Sequence, residues 1–255
     1  MKKTVIAIII FFILPSCLFA REFLNTYVHL NLGGMYTSFI NSDLLDSEEN
    51  RNESYFSDYK SATHYETAFC ATLDVVPMKP IILGLESHAI KFGVRGSYRL
   101  HFMEQRVSVA DEEYENRLIN YKSWMIGPVV HYAPFLESSY FNNDYTASSG
   151  FTFYVLYGRL DGDLTSGQAI ENAGGSISGN STDLSGYKID VGFGAELAVC
   201  SVNFGANIYY SYINMDFDKA VYSDLGKSTT MNEFCLEIYI GIPVESFIEP
   251  LIPRF

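Results

Sequence analysis

The 255-residue chain sets 17 Lys and Arg against 30 Asp and Glu, a formal net charge of −13. Nucleic acid is excluded as a partner, because phosphate binding needs a basic face. Nearly half the residues are hydrophobic, so the chain is no solvated acidic tail, but no run of 18 apolar residues follows the N-terminus to make a membrane-spanning helix.

Met1–Ala20 reads as a signal peptide. Lys2 and Lys3 precede the apolar run Thr4–Leu14, and Pro15, Ser16 and Ala20 supply a cleavage region. Loss of the two lysines takes the net charge from −13 to −15. The alternative is the lipobox-like Leu14-Pro15-Ser16-Cys17, which would place a lipid on Cys17. Residues 21–255 then suit one domain.

Eight stretches alternate apolar and polar residues, a period of two that marks strands. They are Leu24–Tyr36, Thr63–Val75, Ile90–Met103, Leu118–Ala133, Phe151–Leu160, Tyr187–Val199, Val202–Tyr212 and Met231–Ile242. Each matches or nearly matches the roughly 9–11 residues with which a tilted strand crosses the hydrocarbon. In Ile90–Phe102 one face is Ile90, Phe92, Val94, Gly96, Tyr98, Leu100 and Phe102, and the other carries Lys91, Arg95, Arg99 and His101. Two-faced strands of this length after a secretory signal predict an all-β fold, an eight-stranded antiparallel up-and-down transmembrane β-barrel in a bacterial outer membrane.

Only Lys122 and Arg159 put a charge on the apolar faces, both near strand ends, where a long cation reaches headgroups. Pro128 removes a ladder donor and predicts a local bulge. Tyr36, Tyr65, Trp124, Tyr157, Tyr187 and Tyr212 lie beside the long links and should form an aromatic girdle at the outer leaflet.

The links 41–62, 104–117, 161–186 and 213–230 are polar, and the first three are acidic; they would be extracellular loops if both termini are periplasmic. The opposite set holds the tight Cys200-Ser201 turn and the longer 76–89 and 134–150. Residues 243–255, with Pro250 and Pro253, make a poor strand and end in Phe255; the segment reads either as a periplasmic tail with an apolar end or as a terminal aromatic that resembles an outer-membrane assembly signal.

The inward faces gather Glu66, Asp74, Lys91, Arg95, Arg99, Lys188, Asp190, Glu196, Glu233 and Glu237, with His29, His101 and His131. Antiparallel pairing of the second and third strands should bring Glu66 near Arg99 or His101, and Asp74 near Lys91. An eight-stranded barrel is just wide enough for side chains to fill, so these charges form either an ion-paired plug or a narrow conduit with Arg95 and Arg99 setting selectivity.

No catalytic, cofactor or metal site stands out. Asp161/Asp163 and Asp216/Asp218 are D-x-D pairs on predicted loops, common in acidic segments. No Ser–His or Asp–His pair marks a strand rim, so an enzyme is not expected. Cys70, Cys200 and Cys235 lack metal-ligand spacing.

In strand count, topology and charged lumen the chain resembles the small eight-stranded outer-membrane barrels, the OmpX, OmpA-transmembrane and OmpW group. Glu66, Lys91, Arg95, Arg99 and Glu237 look like the interior ion network of such barrels. The resemblance implies surface adhesion, envelope integrity or limited small-solute passage. The partners it implies are outer-membrane lipid and an extracellular or host partner met by the loops.

Overall fold

The computed structural model describes residues 27–76, 81–83, 88–109, 112–133, 148–174, 180–199, 202–220, 222 and 225–243. The signal peptide, Cys17, the Cys200-Ser201 turn and the tail after Pro243 lie outside these residues, as do most of 76–89 and 134–150.

Period-two patterning gives strands throughout: β1 (Tyr27–Ser42), β2 (Tyr59–Val76), β3 (Ile81–Leu83), β4 (His88–Val109), β5 (Glu112–Ala133), β6 (Ser148–Ser166), β7 (Asn180–Val199), β8 (Val202–Phe217) and β9 (Ser228–Pro243). All pairings are antiparallel. β1 lies between β2 and β9, sequential neighbours pair from β4 to β9, and β2 pairs β4 to close the ring. The architecture is an eight-stranded antiparallel β-barrel.

Short β3 is a ninth strand that the alternation did not reveal. It pairs Ile81 with Ile90 and Leu83 with His88, on the edge of β4 that β2 uses further along. The start of β4 is therefore occupied, and β2 meets it only from Val75↔Val94 onward. The register also differs from the expected one: Asp74 stands opposite Arg95, not near Lys91.

The strands run past their predicted ends. β4 and β5 are 22 residues each, about twice what a bilayer crossing needs. Much of what looked like loop is barrel wall: 104–109 and 112–117 pair as strand, and 161–186 and 213–230 begin and end as strand. The link 41–62 holds helix α1 (Asp43–Tyr55), and 161–186 holds α2 (Gln168–Asn172). Ser42 caps α1 by accepting the Leu45 N–H at 3.3 Å. The end of the barrel that carries both helices is called the upper end below.

Pro128 makes no bulge. Pairing of β5 with β6 lapses at Gly127 and Pro128, but Ile126↔Tyr157 and Val129↔Tyr154 keep one register on either side. The missing proline N–H removes a rung without adding a residue.

Candidate functional site

The polarity of the two wall faces depends on height. In the lower and middle barrel the outward residues are apolar: Phe69, Phe92, Ile126, Val155, Phe193, Ile208 and Ile238 are exposed. The inward residues there include six acids (Glu66, Asp74, Asp190, Glu196, Glu233, Glu237) and four cations (Lys91, Arg95, Arg99, Lys188), all buried, with a small apolar cluster of Ala68, Met125, Val129 and Leu156 among them. A chain in water has no reason to expose such a band while burying its charges, whereas a chain in lipid does.

The charges form three tiers. In the lowest, Arg95 Nε and Nη2 donate to the two Asp74 oxygens at 2.7 Å each, and His131 Nε2 lies 3.1 Å from the same carboxylate. The two planar groups match as a fork, the strongest form of ion pair. The Arg95 guanidinium lies over the Tyr154 ring, 4.4 Å from its centre. Glu196 accepts from Asn203 Nδ2 at 2.7 Å and from Tyr239 Oη at 2.8 Å.

Arg99 forms the middle tier. It donates to Asp190 and to Glu237, the latter at 3.3 Å, and covers the Tyr209 ring at 4.5 Å. Both acids have a further donor: Ser211 Oγ reaches Asp190 at 2.6 Å and Asn207 Nδ2 reaches Glu237 at 2.6 Å. In the top tier His101 pairs with Glu66, stacks on Tyr121 at 4.0 Å, and Lys188 Nζ donates to Glu233 at 3.0 Å. Tyr121 Oη donates to Glu233 at 3.2 Å.

Small residues make room for this filling. A Cβ on Gly192 would meet the Tyr154 ring at 2.3 Å, and one on Gly205 would meet the Tyr239 ring at 2.2 Å. Each ring therefore lies over the bare backbone of its directly paired glycine on the neighbouring strand.

Above the third tier the faces exchange character. Along β4, Met103 and Val107 are buried while Glu104 and Arg106 turn outward; along β8, Ile213, Met215 and Phe217 point in while Asn214 and Asp216 point out. Met103, Ile119, Leu160, Leu164, Leu184, Ile213, Met215 and Met231 pack into an apolar core, and Leu44 and Leu45 of α1 close it from above. Polar bonds hold α1 to the other upper segments. Buried Glu48 accepts from the Gly167 N–H at 2.9 Å and from Tyr222 Oη at 2.5 Å, and Arg51 donates to Ser166 Oγ at 2.9 Å. Burial pushes the Glu48 carboxyl above its ordinary value, partly opposed by these two hydrogen bonds.

The structure thus gathers all ten acids and bases named from sequence, buried together in the lumen, with partners partly as expected and partly different. Glu66 takes His101, one of its two expected neighbours, whereas Arg95 takes Asp74. Lys91 is buried, and the Asp74 expected beside it stands opposite Arg95 instead. The tyrosines that stack on the cations and the whole upper core went unnoticed in the sequence.

Of the expected girdle, Trp124 and Tyr157 are exposed, and Tyr157, Tyr187 and Tyr212 make a chain of rings with centres 6.0 and 6.2 Å apart. The Tyr36 and Tyr65 side chains lie outside the described set. This ring sits at the height where the faces exchange.

No protein-family profile and no curated protein matches the chain. Solved structures that it is similar to include three outer-surface or outer-membrane proteins. Neisserial surface protein A is 14% identical over 86% of this chain and 97% of that one, with a TM-score of 0.34. The outer membrane protein OprG from Pseudomonas aeruginosa is 14% identical over 85% and 94%, at 0.38. Ail, the attachment invasion locus protein of Yersinia pestis, is 11% identical over 85% and 97%, at 0.31. The closed ring of eight strands, rather than these likenesses, carries the fold.

Proposed function

We propose that the chain is an integral outer-membrane barrel with a closed lumen, acting through its exterior in surface interaction or envelope integrity. The observation that supports this most is the filling of the interior at every described height: three tiers of paired charges, then an apolar core, then a helix. An eight-stranded ring has little room left once such side chains are in place. The upper barrel then stands clear of the lipid as an acidic surface. The segment 41–62 contributes six acids and two bases, 104–117 five acids and two bases, and 161–186 four acids and no base. Such a surface favours cationic partners or bridging divalent ions. On this reading the loops face the cell exterior, the termini face the periplasm, and no catalytic role is assigned.

Gene deletion separates this role from transport. The strain should lose detergent resistance or attachment while its uptake of small solutes is unchanged, and the protein should fractionate with the outer membrane. Impaired uptake with intact resistance and attachment would favour a narrow channel through the Arg95 and Arg99 tiers.

A further inference from the structure

The exterior carries one feature that a barrel wall does not need. Lys122 and Arg159 are exposed on the neighbouring strands β5 and β6, at the top of the apolar band. Trp124 stands directly opposite Arg159, and Asp161 directly opposite Lys122. With Tyr98, Ile126 and Tyr157 they line an outer groove of about 560 Å³ whose floor includes the backbone of Gly158. It lies just above the lapsed rungs at Gly127 and Pro128.

The groove is graded. Its upper end holds Lys122 and Asp161, its middle Arg159 with the Trp124 and Tyr98 rings, whose centres are 4.1 Å apart, and its lower end Ile126, which continues into Val155 and Phe153. Arg95, Arg99, Lys188 and Arg106 are all in ion pairs, but among the described residues Lys122 and Arg159 are in none. Two cations without an ion pair, 37 positions apart in sequence and diagonal to one another across β5 and β6, offer a site to an anion supplied from outside on a chain of net charge −13.

We propose that this groove binds one anionic lipid. Its headgroup phosphate would lie between Lys122 and Arg159, its glycerol or sugar against the Trp124 and Tyr98 rings, and its acyl chain along Ile126 and Val155. Asp161 at the upper edge would accept from a headgroup hydroxyl, so the fit is to a hydroxyl-bearing phosphate lipid rather than a choline lipid. Height decides for a lipid over a soluble anion: the cations stand where the aromatic ring of the wall meets the headgroups, with hydrocarbon-facing residues directly below.

The inference rests on the membrane reading above, and one experiment tells their failures apart. Trp124 is the only tryptophan, so intrinsic tryptophan fluorescence reports on the groove alone. In vesicles of dibrominated phosphatidylcholine the bromines should quench it. Unbrominated phosphatidylglycerol should relieve the quenching as if preferred about 30-fold over phosphatidylcholine, the combined effect of two interfacial cations. Lys122→Gln with Arg159→Gln should bring the preference to about one, each single variant to an intermediate value, and Arg106→Gln, with the same loss of charge, should leave it unchanged. Inorganic phosphate should relieve nothing. Relief that merely follows the mole fraction of phosphatidylglycerol, or a preference retained by the double variant, overturns the groove; relief by inorganic phosphate overturns the lipid assignment. Absence of any quenching by brominated lipid overturns the membrane reading and this proposal with it.

Discussion

The lower and upper halves of this barrel are filled in opposite ways, although the same strands build both. Below the aromatic ring Arg95, Arg99 and Lys188 are buried in ion pairs and the exterior is Phe69, Val155 and Ile238; above it Met103, Ile213 and Met231 are buried and the exterior is Glu104, Arg106 and Asp216. The medium outside sets the choice. Lipid removes the hydrophobic drive to bury apolar residues, so the lower interior is free to be polar, provided every charge is matched. Water restores that drive, so the upper barrel is built like a soluble β-protein with its core inside. The height at which the faces swap marks where the wall leaves the bilayer.

This contrast can be broken at several points. The largest effect should come from Arg99→Ala, which strands both Asp190 and Glu237 in the lumen. We expect a loss of about 3–5 kcal/mol in unfolding measured by urea titration in lipid vesicles. A smaller loss, of about 2–3 kcal/mol, should follow Leu44→Ala, which empties part of the upper core. Its signature should differ: hydrogen exchange should accelerate in α1 while the lower strands stay protected, because a core in water loosens locally. Ser42→Ala, which deletes the cap of α1, should cost about 1 kcal/mol with the same local pattern.

Acid should tighten the upper half. The carboxyl of Glu48 is raised when α1 is docked, so docking favours its protonated form. That contribution is fully present below the ordinary carboxyl value and is lost as pH rises through the raised one. Exchange in α1, corrected for its intrinsic rate, should therefore quicken as pH rises through this window, and Glu48→Gln should flatten the dependence. The smallest change belongs to Arg106→Ala at the outer rim, where the ion pair with Glu115 is exposed; we expect no more than about 0.5 kcal/mol in the same urea titration.

The lower half was legible in the sequence because its two faces obey one rule, apolar out and charged in, and any charge on the wrong face is conspicuous. Arg95, Arg99, Asp190 and Glu237 were placed inward by alternation alone. Partner choice was only partly legible, because it depends on register, and alternation does not say which residue of β2 stands opposite which residue of β4. The upper half was missed because the same alternation continues with its sign reversed. Met103, Gln105 and Val107 still point inward, but a search for apolar outward faces ends at Phe102, where Glu104 and Arg106 begin. Helix α1 left almost no trace, since Asp43–Tyr55 is mostly acidic and polar, and only Leu44 and Leu45 enter the core. The Tyr154 and Tyr239 rings could have been suspected from the inward glycines Gly192 and Gly205, which leave room that something must fill.

The central claim is that the interior is closed along its length, and ion conductance in planar bilayers tests it most directly. Wild-type protein should insert, shown by its heat-modifiable mobility, and pass no steady current, while Arg99→Ala should admit a leak by opening the middle tier. Steady current from the wild type, with Arg99→Ala altering ion selectivity but neither conductance nor stability, would contradict the closed interior and make the charged tiers the lining of a pore.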